Sequence, residues 1–273
     1  AESRESGGGG VCMIAGRVTR SVIEKCLSDN TRQYGSGIYA TAGVIEQCIV
    51  RECKTTHHAS ACNGSGAVAI KGSAVLINSV VVNNTSCLAT GVFVDDLMTG
   101  GVFNTVVYDN KLCGSSHPAG CTRFNGIFCA RMGNTTLTPS LVKNKTTISH
   151  CAVDSEPYDN TCIQLEASPF LDYANKDYAI PEESPLVDGG NTEKATAYLT
   201  SAYDSFGNNR ISGTHIDIGI HEIQKAGLYI SDVTASSDIA VLPDDAEITF
   251  TVSGFSSTGN ISYTWDFGDG TEP

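Results

Sequence analysis

The 273-residue chain carries 17 basic and 30 acidic side chains, a net charge of −13, with 41% apolar and only 17% charged residues. A surface this acidic excludes nucleic acid as a partner, because phosphate binding needs a basic face, and it repels anionic polymers unless a cation such as Ca²⁺ bridges the carboxylates. No apolar run approaches the roughly 18 residues of a membrane-spanning helix, and 28 glycines with recurrent Asn, Ser and Thr favour short strands and tight turns.

The chain opens Ala1-Glu2-Ser3, without Met or an apolar leader, and reads as a fragment of a longer multidomain chain, monomeric in itself. A degenerate repeat follows. Its first element is Gly before an apolar strand: Gly10-Val11-Cys12-Met13-Ile14, Gly37-Ile38-Tyr39-Ala40, Gly66-Ala67-Val68-Ala69-Ile70, Gly91-Val92-Phe93-Val94 and Gly126-Ile127-Phe128-Cys129. The glycines stand 27, 29, 25 and 35 residues apart. A second element follows each: Val22-Ile23-Glu24-Lys25-Cys26, Val44-Ile45-Glu46-Gln47-Cys48, Leu76-Ile77-Asn78-Ser79, Phe103-Asn104-Thr105 and Ile148-Ser149-His150-Cys151.

This alignment places Cys26, Cys48, Ser79, Thr105 and Cys151 in one column of small side chains, as an inward corner of a parallel solenoid requires, and predicts that the three cysteines are buried thiols. Leucine-rich repeats need a Leu signature that is absent, and propeller blades need a longer period; a β-sandwich is the alternative. The fold class expected is all-β, a right-handed parallel β-helix. Loops at 54–65, 111–125 and 131–146 interrupt the coils. The 11 cysteines leave at least one unpaired, and local bridges Cys113–Cys121 and Cys53–Cys62 are expected within the loops.

Few residues suggest catalysis. Asp95-Asp96 follows a strand, but adjacent strand residues face opposite ways, so the pair reads as a turn before it reads as acid and base. His57-His58 reads as a loop pair, and His150 beside Cys151 as a ladder position. Arg123, Arg131, Lys143 and Lys145 form a basic cluster that could supply a lyase base. Aromatic residues are scarce at 7%, with no evident row of rings.

From Asp177 the sequence becomes distinctive. Asp177-Tyr178-Ala179-Ile180, Ser184-Pro185-Leu186-Val187-Asp188-Gly189-Gly190, Asp204-Ser205-Phe206-Gly207-Asn208-Asn209-Arg210 and Asp217-Ile218-Gly219-Ile220-His221-Glu222 resemble the closing coil of the pectate-lyase-like β-helix superfamily, in its choice-of-anchor surface form found in Bacteroidetes; Ile220 departs from the usual Ala. The resemblance implies a β-helix over 1–224 with an irregular cap at about 167–224. In that cap Asp188, Asp204 and Asp217 tie turns or, alternatively, hold Ca²⁺; no other cofactor is evident. Residues 227–273, ending Trp265-Asp266-Phe267-Gly268-Asp269-Gly270-Thr271, resemble the first part of a polycystic-kidney-disease (PKD) domain, an immunoglobulin-like β-sandwich, which implies a core place for Trp265.

Together these imply an extracellular or cell-surface protein that contacts polysaccharide or surface glycan without evident catalysis. The alternatives are a polysaccharide lyase or glycoside hydrolase, with Asp95, Asp96, Arg123, Arg131 and Lys145 as its candidate residues, and a structural stalk or adhesin.

Overall fold

The computed structural model describes residues 8–28, 34–55, 66–86, 89–113, 126–130, 147–225, 228–235, 249–256 and 262–265. Strands Val44–Glu46, Ile49–Arg51 and Lys54–Thr55 begin five residues apart, because three-residue strands alternate with two-residue corners. The first corner residue is left-handed: Gln47 (φ 52°), Glu52 (56°), Asn78 (43°), Asn83 (50°), Asn104 (49°) and Asp109 (51°). Asn and Asp recur there because they tolerate this region better than most side chains. The second corner residue turns inward, and its side chain donates to the carbonyl two residues back. Ser79 Oγ reaches the Ile77 carbonyl at 2.9 Å, Thr105 Oγ1 that of Phe103 at 2.8 Å, and Cys48 Sγ that of Glu46 at 3.3 Å.

Equivalent strands of successive coils stack in parallel into four sheets. Sheet 1 holds Val11–Met13, Gly35–Ala40, Gly66–Ile70, Val92–Asp95 and Ile127–Ala130. Sheet 2 holds Arg17–Thr19, Val44–Glu46, Val75–Ile77, Gly101–Phe103 and Ile148–Ser149. Sheet 3 holds Val22–Glu24, Ile49–Arg51, Val80–Val82, Val106–Tyr108, Ala152–Val153 and Ile163–Gln164. Sheet 4 holds Leu27–Ser28, Lys54–Thr55, Thr85–Ser86 and Lys111–Leu112. The chain is thus an all-β parallel solenoid with very little helix.

The register corrects the sequence alignment. Val22-Ile23-Glu24 looks like Val44-Ile45-Glu46, yet it pairs with Ile49-Val50-Arg51 in sheet 3, while Val44–Glu46 pairs with Arg17–Thr19 in sheet 2. Cys26 therefore leaves the expected column. Cys48, Ser79, Thr105 and Cys151 do stack, between Ser21 below and Cys162 above, because Val22, Ile49, Val80, Val106, Ala152 and Ile163 are successive partners. Cys26 belongs to the next corner, in line with Cys53, Asn84 and Asn110. A five-residue rhythm lets a slip of one whole strand preserve the local pattern, which is why the two Val-Ile-Glu triplets were indistinguishable. Cys48 and Cys151 are buried thiols, whereas Cys26 is only partly buried. Cys53 is a free buried thiol, not bridged to Cys62. Cys113 is disulfide-bonded, to a partner outside the described residues. The interruptions expected from 54 and 111 begin instead with the sheet 4 strands of their coils.

Inside the coil, Val18, Ile45, Leu76, Val102 and Ile148 stack against Ile23, Val50, Val81, Val107 and Val153. Full burial of each such side chain contributes roughly 1.5–3 kcal/mol. Tyr158 and Cys162 pack on the end of this core, so the stretch just before the expected cap closes it.

The segment expected to cap the end runs along the side. Phe170, Tyr178, Ile180, Leu186, Ile218 and Ile220 cover the outward faces of Val80, Val82, Val106 and Ala152. Tyr198 and Leu199 cover Val75, Ile77 and Phe103. This lateral segment is a brace; it explains why Val75–Ile77 and Val80–Val82 are buried on both faces. Its one α-helix, α1 (Thr192–Tyr198), is N-capped by Asn191, whose side chain accepts from the Lys194 N–H.

Beyond it, Leu228–Ala235 and Phe250–Ser256 pair antiparallel. Trp265, expected in a core, is 36% exposed, with its ring 5.7 Å from that of Phe250, itself 42% exposed. Among the described residues of this segment two strands form one layer, and one layer cannot by itself enclose an indole.

Candidate functional site

The left-handed corner between sheets 2 and 3 forms a rail for the brace. Side chains at φ > 0 project outward there, and successive ones grip brace carbonyls. Gln47 Nε2 donates to Tyr203 O at 3.1 Å, Asn78 Nδ2 to Asp217 O and Gly219 O at 3.0 and 3.1 Å, and Asn104 Nδ2 to Asn191 O at 3.1 Å. Arg20 donates to Ser201 Oγ and to Tyr203 O. One strand away, buried Glu46 accepts from Arg17 Nη1 at 2.9 Å and from the Thr200 N–H at 3.0 Å. His150, expected as a ladder position, stands in the left-handed corner next along the rail, and its buried Nδ1 has no hydrogen-bond partner among the described residues.

Under the rail lies a buried ionic cluster. Arg210, 2% exposed, donates to Glu222 Oε2 at 3.2 Å and to the carbonyls of Asp217 and Gly219 at 3.1 and 2.8 Å. Glu222 also accepts from the Ser212 and Asp217 N–H groups, both at 3.0 Å. Asp204 accepts from the N–H groups of Phe206, Asn208 and Glu222, each at 2.8 Å. Asp217 accepts from those of Asp188 and Ile223, both at 2.7 Å. Asp188 accepts from the His215 N–H at 3.0 Å and pairs with Lys225.

Burial pushes the Glu222 carboxyl up to about 8 against the opposing pull of Arg210, and the Asp217 carboxyl up to about 6. Burial lowers the Arg210 guanidinium. For Asp188 burial also raises, but Lys225 and the backbone donors outweigh it and the net shift is downward.

Of the residues singled out in the sequence, Asp188, Asp204 and Asp217 are thus brought into one neighbourhood, as acceptors of backbone N–H groups. Among the described residues no group of three or more His, Cys, Asp or Glu side chains is placed to hold a metal ion. Asp95 and Asp96 lie on sheet 1 and the turn after it. Asp95 is buried, its Oδ1 accepts the Leu97 N–H at 2.9 Å, and its carbonyl accepts that of Met98 at 3.1 Å. Arg123, Arg131, Lys143, Lys145 and His57-His58 lie outside the described residues. Cys151 is fully buried and donates to the Ser149 carbonyl at 3.4 Å; burial holds its thiol well above the ordinary range, unlike an activated nucleophile.

Sequence reasoning missed Arg210 and Glu222 as a buried pair, although both stand in the Asn-Asn-Arg and Ile-His-Glu stretches that carried the resemblance. It also missed a cleft of about 380 Å³ between the end of α1, the strap after it and the 209–211 turn. Ala195, Leu199, Ala202 and Ile211 give this cleft apolar wall; Thr196, Thr200, Ser201 and Asn209 give it polar wall. Arg210 also lines it, and the buried Nε of that residue has no hydrogen-bond partner among the described residues. Tyr203, 52% exposed, is the chain neighbour of the lining residue Ala202 and bridges to the lining residue Asn209.

No family model, no curated protein and no solved structure matches this chain. No helix among the described residues is long and apolar enough to cross a membrane, which says nothing of membrane β-barrels.

Proposed function

We propose that this solenoid is an exported, surface-presented protein that contacts a neutral polysaccharide or surface glycan without cleaving it, and that the cleft beside α1 receives one sugar residue. The observation that carries the reading is a cleft of about 380 Å³ whose walls mix methyl groups and hydroxyls. That volume falls in the range of small-ligand sites. A sugar ring has apolar faces and hydroxyl edges, so it suits such walls, and the exposed Tyr203 ring offers a face to stack on. The net charge of −13, and three carboxylates beside Arg210, favour a neutral ligand over an anionic one. The commitment of Asp95, Asp204 and Asp217 to backbone N–H groups supports binding over hydrolysis, which needs two free carboxyls flanking the bond. The right-handed winding of the coils and the PKD nature of residues 227–273 belong to this same reading; the first rests on the strong right-handed preference of parallel crossovers.

The test is retention of the full chain on neutral glycans, pectate and glycosaminoglycans, with and without Ca²⁺, while reducing ends and unsaturated products are followed. Retention on a neutral glycan, weakened about tenfold by Tyr203→Ala and abolished by Thr196→Trp, which fills the cleft, is the expected result. Cleavage of any polymer, or retention indifferent to both substitutions, overturns it; no retention at all leaves a stalk as the better description.

A further inference from the structure

Four free cysteines form two vertical pairs, one toward each end of the described ladder. Cys26 and Cys53 share the corner between sheets 3 and 4, one in the coil of the first described strand of sheet 4 and one in its neighbour. Cys151 and Cys162 share the corner between sheets 2 and 3 at the other end, where Ile163–Gln164 is the last strand of sheet 3. In each pair the two residues are direct ladder neighbours. The Lys54 N–H donates to the Cys26 carbonyl and the Ile163 N–H to the Cys151 carbonyl, both at 2.8 Å. Parallel neighbours stand about 4.8 Å apart, within the Cα separation a disulfide spans. The interior of the same two columns holds Cys48, Ser79 and Thr105, or Asn84 and Asn110. The Ser, Thr and Asn side chains make the same corner hydrogen bonds, so the corner itself does not require sulfur. One member of each pair, Cys26 or Cys162, is partly exposed and the other buried. The Cys151 thiol lies against Cys162 and lowers its pKa, which favours thiolate at the accessible sulfur.

We infer that Cys26–Cys53 and Cys151–Cys162 are two oxidisable pairs that staple neighbouring coils of the solenoid to each other. The oxidant is a disulfide of the glutathione class. The accessible thiolate, Cys26 or Cys162, attacks one glutathione sulfur and forms a mixed disulfide, releasing the first glutathione thiol. Local opening of the rung then lets the buried partner ionise, attack the protein sulfur of that mixed disulfide and release the second glutathione. Two protein thiols become one cystine, one glutathione disulfide becomes two thiols, and the two protons leave with them. A cross-link between neighbouring coils constrains their local opening.

The experiment is peptide mapping of the full chain after exposure to oxidised glutathione, with free thiols alkylated under denaturing conditions without reductant. The expected result is two cross-linked peptides, 26–53 and 151–162, each short of two hydrogens, with Cys48 alkylated. Reduction of that material should lower Tm by about 5–10 °C. Complete alkylation of all four cysteines overturns the inference. So do glutathione adducts that never resolve, or any cross-link that recruits Cys48, because then the fold does not select these partners.

Discussion

The coils and the brace both bury apolar side chains, but they satisfy their polar groups by different means. A coil passes its backbone hydrogen bonds to the coils above and below, and short side chains settle the corners. Asn84 is representative: it accepts from the Cys53 N–H at 2.9 Å and donates to the Val50 and Val82 carbonyls at 3.0 Å. The brace has almost no regular structure to pair its backbone, so carboxylates do that work, and one arginine balances them. A repeating ladder is held by many equivalent small terms. An irregular segment concentrates the same task in a few buried charges, where each loss is large.

The largest way to break this contrast is Arg210→Met. It leaves Glu222 and two carbonyls without their cation and should destabilise the brace by about 3–5 kcal/mol. Limited proteolysis should open 165–225 while the coils keep their strand circular dichroism; simultaneous loss of both would erase the distinction. Next is Asn84→Ala, which leaves the Cys53 N–H and two carbonyls unpaired within the ladder. A cost of about 1–3 kcal/mol in denaturant unfolding is expected, with the brace no more protease-sensitive than before. The third test concerns pH. The folded Glu222 and Asp217 carboxyls sit above their unfolded values, so the folded state binds more protons between about pH 4 and 8. Their contribution is fully present below that window and fades as pH rises through it. Glu222→Gln should flatten the decline in stability across pH 5–8 by up to about 1.4 kcal/mol per pH unit; an unchanged slope would place the titration elsewhere.

Much of the solenoid was legible because its cause is local. Gly-led strands, Asn-rich corners and a recurring 25- to 35-residue spacing in the sequence require only that successive coils stack. The corner column of Cys48, Ser79, Thr105 and Cys151 was readable for the same reason. Cys26 was misplaced because strands recur every five residues within a coil, and local pattern cannot say which of two consecutive corners is meant. Glu24 settles it in three dimensions: its partner is Arg51, at 2.8 Å, in the strand beside it in sheet 3.

The candidate site was far less legible. The motif stretches flagged Asp188, Asp204 and Asp217, but their use depends on where Arg210, Ser212 and Glu222 arrive after the chain folds back. Sequence by itself determined the all-β character, the parallel stacking and the inward corner residues, since alternation and turn chemistry act over a few neighbours. Only the tertiary structure decided that 165–225 runs along the side and not over the end, that Val75–Ile77 and Val80–Val82 are covered on both faces, and that a cleft forms at Arg210. Those outcomes rest on contacts such as Arg20 with Tyr203 and Asn78 with Gly219, more than a hundred residues apart in the chain, which no local pattern encodes.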